Sequence, residues 1–158
     1  MILHDSETLS ISEMQLLQST RLRDTIQKVF QHVPFYREKI TNFMITPSDI
    51  QTIQDIHKLP FTTKKELREN YPFGLFAIPR NQITRLHASS GTSGKPTVVA
   101  YSQEDINMWS EITARAISMA GGKKEDILHN AYGYGLFTGG LGLHYGSEKL
   151  GMITVPVS

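Results

Sequence analysis

The fold is decided by residues 126–157, which read DILHNAYGYGLFTGGLGLHYGSEKLGMITVPV. Two short apolar runs, at 126–128 and 152–155, enclose a glycine-rich turn and a segment with the pattern of a helix of about ten residues. A helix between two short strands is the spacing of a βαβ crossover, which joins parallel strands. This stretch therefore predicts a parallel strand pair and an α/β fold.

Two more strands and a helix are predicted just before this unit. Residues 83–88 alternate apolar and polar side chains, and residues 97–101 form a β-branched run of strand length. Ser102 is placed to cap a helix that ends at Gly121-Gly122 in the left-handed conformation. The apolar stripe of this helix is predicted to be Ile106, Trp109, Ile112, Ala116 and Ala120. Trp109 is interpreted as a core residue.

The first 78 residues have the pattern of helices. Ser10 and Glu13 have the spacing of a capping box, which predicts a helix over 11–33 that Pro34 ends. Short helices are predicted over 35–40, over 48–58 with Ser48 as the cap, and from Thr63 to about residue 70. We therefore expect a helical amino-terminal region at 1–78 and an α/β region that starts at residue 79.

The composition is that of an ordinary globular chain and excludes several classes of site. The 158 residues include 16 Lys+Arg and 15 Asp+Glu, a net charge of +1, and no cysteine. Disulfide scaffolds, thiolate zinc sites and cysteine nucleophiles are excluded. With no basic stripe, no signal-peptide pattern and no apolar run of about 20 residues, we expect a cytoplasmic protein without nucleic-acid or membrane partners.

Residues 89–96, SSGTSGKP, carry the chemistry of an anion-binding loop. Glycines let backbone N–H groups converge on a bound anion, hydroxyls add further donors, and lysine adds a mobile positive charge. The loop is a candidate cradle for the phosphates of a nucleotide. Its candidate residues are Ser89, Ser90, Gly91, Thr92, Ser93, Gly94 and Lys95.

This loop does not have the Walker A pattern. Two residues rather than four separate Gly91 from Gly94, and Pro96 follows the lysine where Ser or Thr is needed. The flanks are two strands, whereas a Walker loop runs from a strand into a helix. On the residues alone, a polar hairpin turn is an equally good interpretation.

A second candidate segment, 132–140, reads YGYGLFTGG and follows a predicted strand. The carboxyl ends of strands are where α/β sheets bind ligands, and aromatic rings offer flat apolar walls. The segment lacks the third glycine of a dinucleotide fingerprint. Tyr134 is equally well interpreted as a core aromatic with a satisfied hydroxyl. His87, His129 and His144 show no metal-ligand spacing, and we expect structural or surface roles for them.

Three motifs together carry a resemblance to a known family. SSGTSGKPT at 89–97 resembles the phosphate loop of acyl-adenylate-forming enzymes, although Ser93 stands where a second threonine is usual. With LPFTTK at 59–64 and HNAYGYGLFTGG at 129–140, the chain resembles phenylacetate–CoA ligases from about residue 20 onward.

The resemblance implies a two-step reaction on a small aryl carboxylic acid, as in phenylacetate catabolism. ATP would convert the acid to an acyl-adenylate, and coenzyme A would then displace AMP. Mg²⁺ would arrive with ATP, held mainly by phosphate oxygens, so no metal ligands are predicted in this chain. The implied substrate-binding residues are Tyr132, Gly133, Tyr134, Phe137 and Gly139, with Tyr132 and Phe137 lining the aryl pocket.

The resemblance also implies parts that this sequence does not contain. Family members carry an acidic motif, a ribose-binding aspartate and a mobile domain with the adenylation lysine further along the chain, and residues 97–158 hold none of these. We therefore expect an amino-terminal portion of a ligase, with an incomplete nucleotide- and substrate-binding domain at 79–158. No catalytic residue is assigned, and the chain alone is expected to be inactive. The alternative is a non-catalytic nucleotide-binding or oligomerising module derived from that fold.

The last predicted strand lies at the open edge of its sheet. Exposed strand edges invite pairing with another chain, so we expect homo-oligomers.

Overall fold

The computed structural model describes residues 3–89 and 95–157 of the chain. The chain divides between Pro79 and Arg80 into two compact units. The amino-terminal unit contains the helices α1 (Ile11–His32), α2 (Pro34–Asn42) and α3 (Lys64–Glu69). The second unit contains β1 (Arg85–Ala88), β2 (Val98–Tyr101), α4 (Gln103–Met119), β3 (Ile127–Asn130), α5 (Thr138–Leu150) and β4 (Ile153–Pro156). Helices and small sheets together make the predicted α/β class.

Helix α1 begins where the sequence predicts and ends one residue before the predicted end. The Ser10 N–H donates to Glu13 Oε2 at 2.8 Å, and the Glu13 N–H donates to Ser10 Oγ at 3.3 Å, so the capping box is confirmed. The helix ends at His32, and Pro34 opens α2, because proline fits the first turn of a helix and disrupts its interior.

The predicted helix over 48–58 is wrong. Two 3₁₀ turns, Pro47–Asp49 and Ile53–Lys58, stand in its place. The Thr46 N–H donates to Asp49 Oδ2 and the Thr52 N–H donates to Asp55 Oδ2, both at 2.8 Å. Because each Thr/Asp pair caps a new turn, the chain restarts and no continuous helix forms. Ser48, the predicted cap, lies inside the first turn.

The core of the amino-terminal unit forms where α1 and α2 meet these turns. Its buried apolar side chains are Ile26, Val33, Ile40 and Ile50. Ser19 of α1 donates to the Gln15 carbonyl at 2.6 Å and accepts the Ile53 N–H at 2.9 Å. A buried hydroxyl with both roles filled joins α1 to the second turn at little cost in free energy.

A charged pair joins α2 to the start of α3. Glu66 forms the predicted capping box with Thr63, and its Oε1 lies 2.5 Å from the Nζ of Lys39. Lys39 also donates to the Phe61 carbonyl at 2.6 Å. Hydrogen bonds from Lys39 and then from Thr63 favour the carboxylate and lower the pKa of Glu66 from 4.5 to about 2.

This pair makes an acid-stability prediction. Because the folded pKa of Glu66 is depressed, its contribution is present above pH 4.5 and is lost as the pH falls through about 2. Glu66→Gln should therefore reduce the loss of stability between pH 5 and pH 2, as followed by urea unfolding. Glu69→Gln is the matched control, since Glu69 of α3 pairs only loosely with Lys65, at 3.6 Å. Equal pH dependence in the two variants would contradict the assignment.

The second unit begins with an antiparallel pair. β1 and β2 pair from Arg85↔Tyr101 to Ala88↔Val98. The two strands that flank the candidate phosphate loop are therefore confirmed, each slightly shorter than predicted.

The βαβ unit at 126–157 is also confirmed. β3 and β4 are parallel, in register from Ile127↔Ile153 to Asn130↔Pro156, and α5 is the crossover helix between them. Gly151 ends α5 with a φ of 85°, a left-handed conformation that suits glycine.

Helix α4 packs against α5 through part of the predicted stripe, including Ile106 and Trp109, but its buried face turns away from Ile112. Ile106 and Ala114 are buried, whereas Ile112 of the predicted stripe is 52% exposed. The reason lies in α5, where a Cβ on Gly146 would come within 2.5 Å of Thr113 Cβ and one on Gly142 within 2.7 Å of the Trp109 ring. Glycines at these positions let the helices approach closely along the Trp109–Thr113 side of α4.

The β3–β4 sheet leaves apolar side chains exposed. Ile127, Ile153 and Val155 all lie at the surface of the unit, and β4 pairs only with β3 in the part of the chain that the structure describes. Among helices within 3–89 and 95–157, none has the length and apolar character to cross a membrane.

Candidate functional site

The β1–β2 hairpin closes at the base of the candidate phosphate loop. The Ser89 N–H donates to the Thr97 carbonyl at 3.0 Å, and the Thr97 N–H donates to Ser89 Oγ at 3.2 Å. Ser90, Gly91, Thr92, Ser93 and Gly94 lie outside the described residues. Ser89 and Lys95 are described, and Lys95 is exposed.

A cavity of about 370 Å³, here called the hairpin pocket, lies at the base of this hairpin. Its lining is His87, Ala88, Ser89, Thr97, Val99, Tyr101, Phe137 and Thr138. Ser89 comes from the predicted phosphate-binding set, and Phe137 comes from the predicted substrate-binding set. The structure therefore brings one member of each set to a single pocket.

One backbone carbonyl joins the hairpin to the aromatic segment. The Leu136 carbonyl accepts the Ala88 N–H at 3.0 Å and lies 3.0 Å from Nδ1 of His87. Both donors belong to β1, and Leu136 directly precedes Phe137. The position of the aromatic segment is therefore fixed relative to the strand that leads into the loop.

Asn130, at the end of β3, organises the glycine-rich turn. Its side chain is 2% exposed, and its Nδ2 donates to the Tyr134 hydroxyl at 2.7 Å and to the Gly140 carbonyl at 2.8 Å. Its Oδ1 accepts the Tyr132 N–H at 3.4 Å. Sequence reasoning did not single out Asn130. Its position could have indicated a role, because a polar amide between a strand and a glycine-rich turn needs hydrogen-bond partners when it is buried.

The Tyr134 hydroxyl is satisfied inside the protein. It accepts from Asn130 and lies 3.1 Å from Nδ1 of His144, whose Nε2 lies 3.1 Å from Glu148 Oε1. Since a carboxylate only accepts, the Nε2 of His144 carries a hydrogen, and its Nδ1 can accept from Tyr134. This geometry matches the interpretation of Tyr134 as a core aromatic.

Tyr132 and Phe137 are the more accessible aromatic rings of the segment. Tyr132 is 56% exposed and its ring packs over Gly139, where a Cβ would come within 2.5 Å of the ring. Gly140 passes directly beneath the carbonyl of Tyr132, which would lie 2.7 Å from a Cβ. Glycines at 139 and 140 thus let the first turn of α5 pass under the aromatic segment.

A second cavity of about 440 Å³ lies between α4 and the start of α5. Its walls are mainly apolar and include Met108, Trp109, Ile112 and Leu143. Tyr101 lines this cavity and also the hairpin pocket. Burial raises the pKa of the Tyr101 hydroxyl, and the Asp105 carboxylate raises it further, so the phenol stays protonated at neutral pH.

Sequence comparison finds relatives that are phenylacetate–coenzyme A ligases. No protein-family model matches the chain. The chain is 52% identical over 152 residues to the phenylacetate–coenzyme A ligase of Escherichia coli (strain K12). This alignment covers 96% of the chain and 35% of the relative. The chain is therefore similar to an amino-terminal portion of phenylacetate–coenzyme A ligases. The ligase of Pseudomonas putida is 49% identical over 99% of the chain and 36% of its own length.

Solved structures of CoA ligases share the fold. A 2-hydroxyisobutyryl-CoA ligase in complex with 2-HIB-AMP and CoA, in the thioesterification state, matches 94% of the chain with a TM-score of 0.87 and 28% identity. The same ligase in the postadenylation state with 2-HIB-AMP matches with a TM-score of 0.85 and 27% identity. The chain spans 32% of the length of both structures.

Proposed function

We propose that this chain provides the phosphate loop and one wall of the acid pocket of a ligase that activates phenylacetate. The observation that carries this proposal is the pair of hydrogen bonds to the Leu136 carbonyl, which hold the loop-bearing hairpin beside the aromatic segment. Residues 1–78 form the helical region in this proposal, and residues 79–158 form the start of the nucleotide- and substrate-binding domain.

The hairpin is the ATP side of the proposed site. Its binding set is the predicted run from Ser89 to Lys95, in which backbone N–H groups, hydroxyls and one ammonium group would surround the β- and γ-phosphates. The described residues contain no cluster of three or more His, Asp or Glu side chains that could hold a metal ion. Mg²⁺ would arrive with ATP and be held chiefly by its phosphate oxygens.

The aromatic segment is the acid side. Tyr132 and Phe137 offer the flat apolar surfaces that an aryl ring packs against. Gly133 allows close backbone approach, and Gly139 leaves room for the Tyr132 ring that packs over it. Tyr134 holds the segment in place through Asn130 and His144. Its contribution to substrate binding is therefore indirect.

The proposed chemistry makes a poor electrophile reactive. A carboxylate oxygen attacks the α-phosphorus of ATP and pyrophosphate leaves, giving the acyl-adenylate. The thiol sulfur of coenzyme A then attacks the acyl carbon, loses its proton and displaces AMP. The loop would stabilise the charge of the departing pyrophosphate. Because the chain spans about a third of the length of its relatives, we expect no turnover from it alone.

A second candidate function is a nucleotide-binding or self-associating module without turnover. The exposed apolar side chains of β3 and β4, with Ile127 64% and Ile153 61% exposed, favour self-association. In this proposal a homo-oligomer forms through the β4 edge, in the cytoplasm.

Calorimetric titration with ATP·Mg²⁺ tests the ATP side directly. Lys95→Ala should weaken binding by roughly tenfold or more, because a hydrogen bond to a charged group contributes about 1.5–3 kcal/mol. Lys123→Ala is the matched control, since Lys123 is also exposed and belongs to the same unit. Equal affinities for the two variants would remove Lys95 from the site. Absence of binding to the unaltered chain at millimolar ATP would exclude a nucleotide-binding module.

A further inference from the structure

His87 is buried at the strand that leads into the phosphate loop. It lies in β1, two residues before Ser89, and is 1% exposed. The rings of Tyr101 and Trp109 each meet it at 5.5 Å between centroids and 83° between planes. These two edge-to-face contacts fix the orientation of the imidazole.

The two nitrogens of this imidazole have different surroundings. Nδ1 lies 3.0 Å from the Leu136 carbonyl, which can only accept, so Nδ1 carries the hydrogen. Nε2 is buried without a hydrogen-bond partner among the described residues. An unpaired buried nitrogen is unfavourable, and an apolar side chain at 87 would avoid it. A role specific to histidine at this position therefore depends on the hydrogen bond that Nδ1 donates to the Leu136 carbonyl.

The hydrogen bond from His87 Nδ1 restrains the peptide group of Leu136, which has few other contacts that fix its position. The Leu136 side chain is 63% exposed, so its own packing contributes little. The Ala88 N–H also donates to the Leu136 carbonyl. This backbone donor does not depend on which side chain stands at position 87. The donor from residue 87 depends on the side chain and adds a second, directional constraint.

We propose that His87 is a positioning residue that couples the two halves of the site. Its Nδ1–H holds the Leu136 carbonyl, so that Phe137 stays over the hairpin pocket beside Ser89. This inference rests on the proposed function, because it assigns the coupled ligands as ATP and an aryl acid. Binding of one ligand then favours binding of the other.

Three variants distinguish the roles of Nδ1 and Nε2 of His87. An asparagine amide reaches the position of Nδ1, a glutamine amide reaches the position of Nε2, and leucine supplies no donor. His87→Asn should therefore preserve the contact with Leu136, whereas His87→Gln and His87→Leu should lose it. A purely space-filling role would favour glutamine and leucine, which are closer in size to histidine than asparagine is.

Hydrogen exchange provides a readout that needs no ligand. Protection of the Ala88 amide should fall by roughly tenfold or more in His87→Leu and His87→Gln, and stay near the original value in His87→Asn. The Thr84 amide, which bonds the Tyr101 carbonyl at the other end of the same hairpin, is the internal control for general destabilisation. An Ala88-to-Thr84 protection ratio that is unchanged in His87→Leu would overturn the proposal, as would an equal ratio in the Asn and Gln variants.

Ligand titration then tests the coupling. Trp109 is the single tryptophan of the chain, and its fluorescence reports binding near His87. Phenylacetate should bind roughly fivefold more tightly with saturating ATP·Mg²⁺ than without it. This factor should fall to one in His87→Leu and His87→Gln but persist in His87→Asn. If the unaltered chain bound neither ligand, the proposed function of this portion would fail, while the exchange ratio would still decide the role of His87.

Discussion

Replacement of Gly140 by alanine is expected to disrupt the candidate site more than the same change at any other glycine that the structure describes. The added Cβ would overlap the Gly133 carbonyl and come within 2.7 Å of the Tyr132 carbonyl oxygen. Both obstacles are backbone atoms, so either α5 or the turn at 132–133 must move. Overpacking of this kind typically costs about 1–3 kcal/mol. Alanine is favoured over glycine inside a helix by about 0.5–1 kcal/mol, which offsets only part of that cost.

Urea unfolding of Gly140→Ala measures this effect. Gly135→Ala is the matched control, because a Cβ on Gly135 meets nothing within 4 Å and this glycine belongs to the same segment. The control should change the free energy of unfolding by less than about 0.5 kcal/mol. If the two variants were equally stable, the close passage of α5 beneath the aromatic segment would be contradicted.

Asn130→Leu is expected to lower the free energy of unfolding nearly as much as Gly140→Ala. The change keeps the number and branching of the side-chain heavy atoms but removes both hydrogen bonds that Nδ2 donates, to the Tyr134 hydroxyl and the Gly140 carbonyl. A buried group left without its partner costs about 1–3 kcal/mol. The turn that carries Tyr132 should loosen at the same time, and binding of an aryl acid should weaken with it.

A double-mutant cycle with Tyr134→Phe isolates the Asn130–Tyr134 contact. Residues that share a buried hydrogen bond usually show an interaction energy of about 0.5–3 kcal/mol. Additive effects would mean that the 2.7 Å contact contributes nothing to stability. Retention of normal stability by Asn130→Leu would exclude Asn130 as the organiser of the turn.

Elements defined by local chemistry could be predicted from the sequence. The capping boxes at Ser10 and Thr63 and the proline at 34 act within a few residues, and each sets a helix boundary where expected. The helix predicted over 48–58 was wrong because of local chemistry too. Two Thr/Asp caps start separate turns in a stretch whose periodicity alone predicts one helix. The buried face of α4 was predicted only in part, because it depends on Gly142 and Gly146 of α5, more than 30 residues away.

The candidate site was predicted in part. Motifs indicated the loop and the aromatic segment, because glycines, hydroxyls and aromatic rings are recognisable as residue types. The bond between His87 and Leu136, 49 residues apart, leaves no local signal, so the sequence could not show that the two motifs are joined. Asn130 was missed for a related reason, since its value depends on three partners that only the folded turn brings together.

In the proposed function, the hairpin and the aromatic segment form one site. Two-dimensional NMR of the ¹⁵N-labelled chain, titrated with ATP·Mg²⁺ and then with phenylacetate, tests it most directly. ATP should shift the amides of 89–97, phenylacetate should shift those of 132–139, and both ligands should shift Ala88 and Phe137, where the two segments meet. Shifts confined to the amino-terminal unit, or two sets of shifts with no amide in common, would contradict the claim.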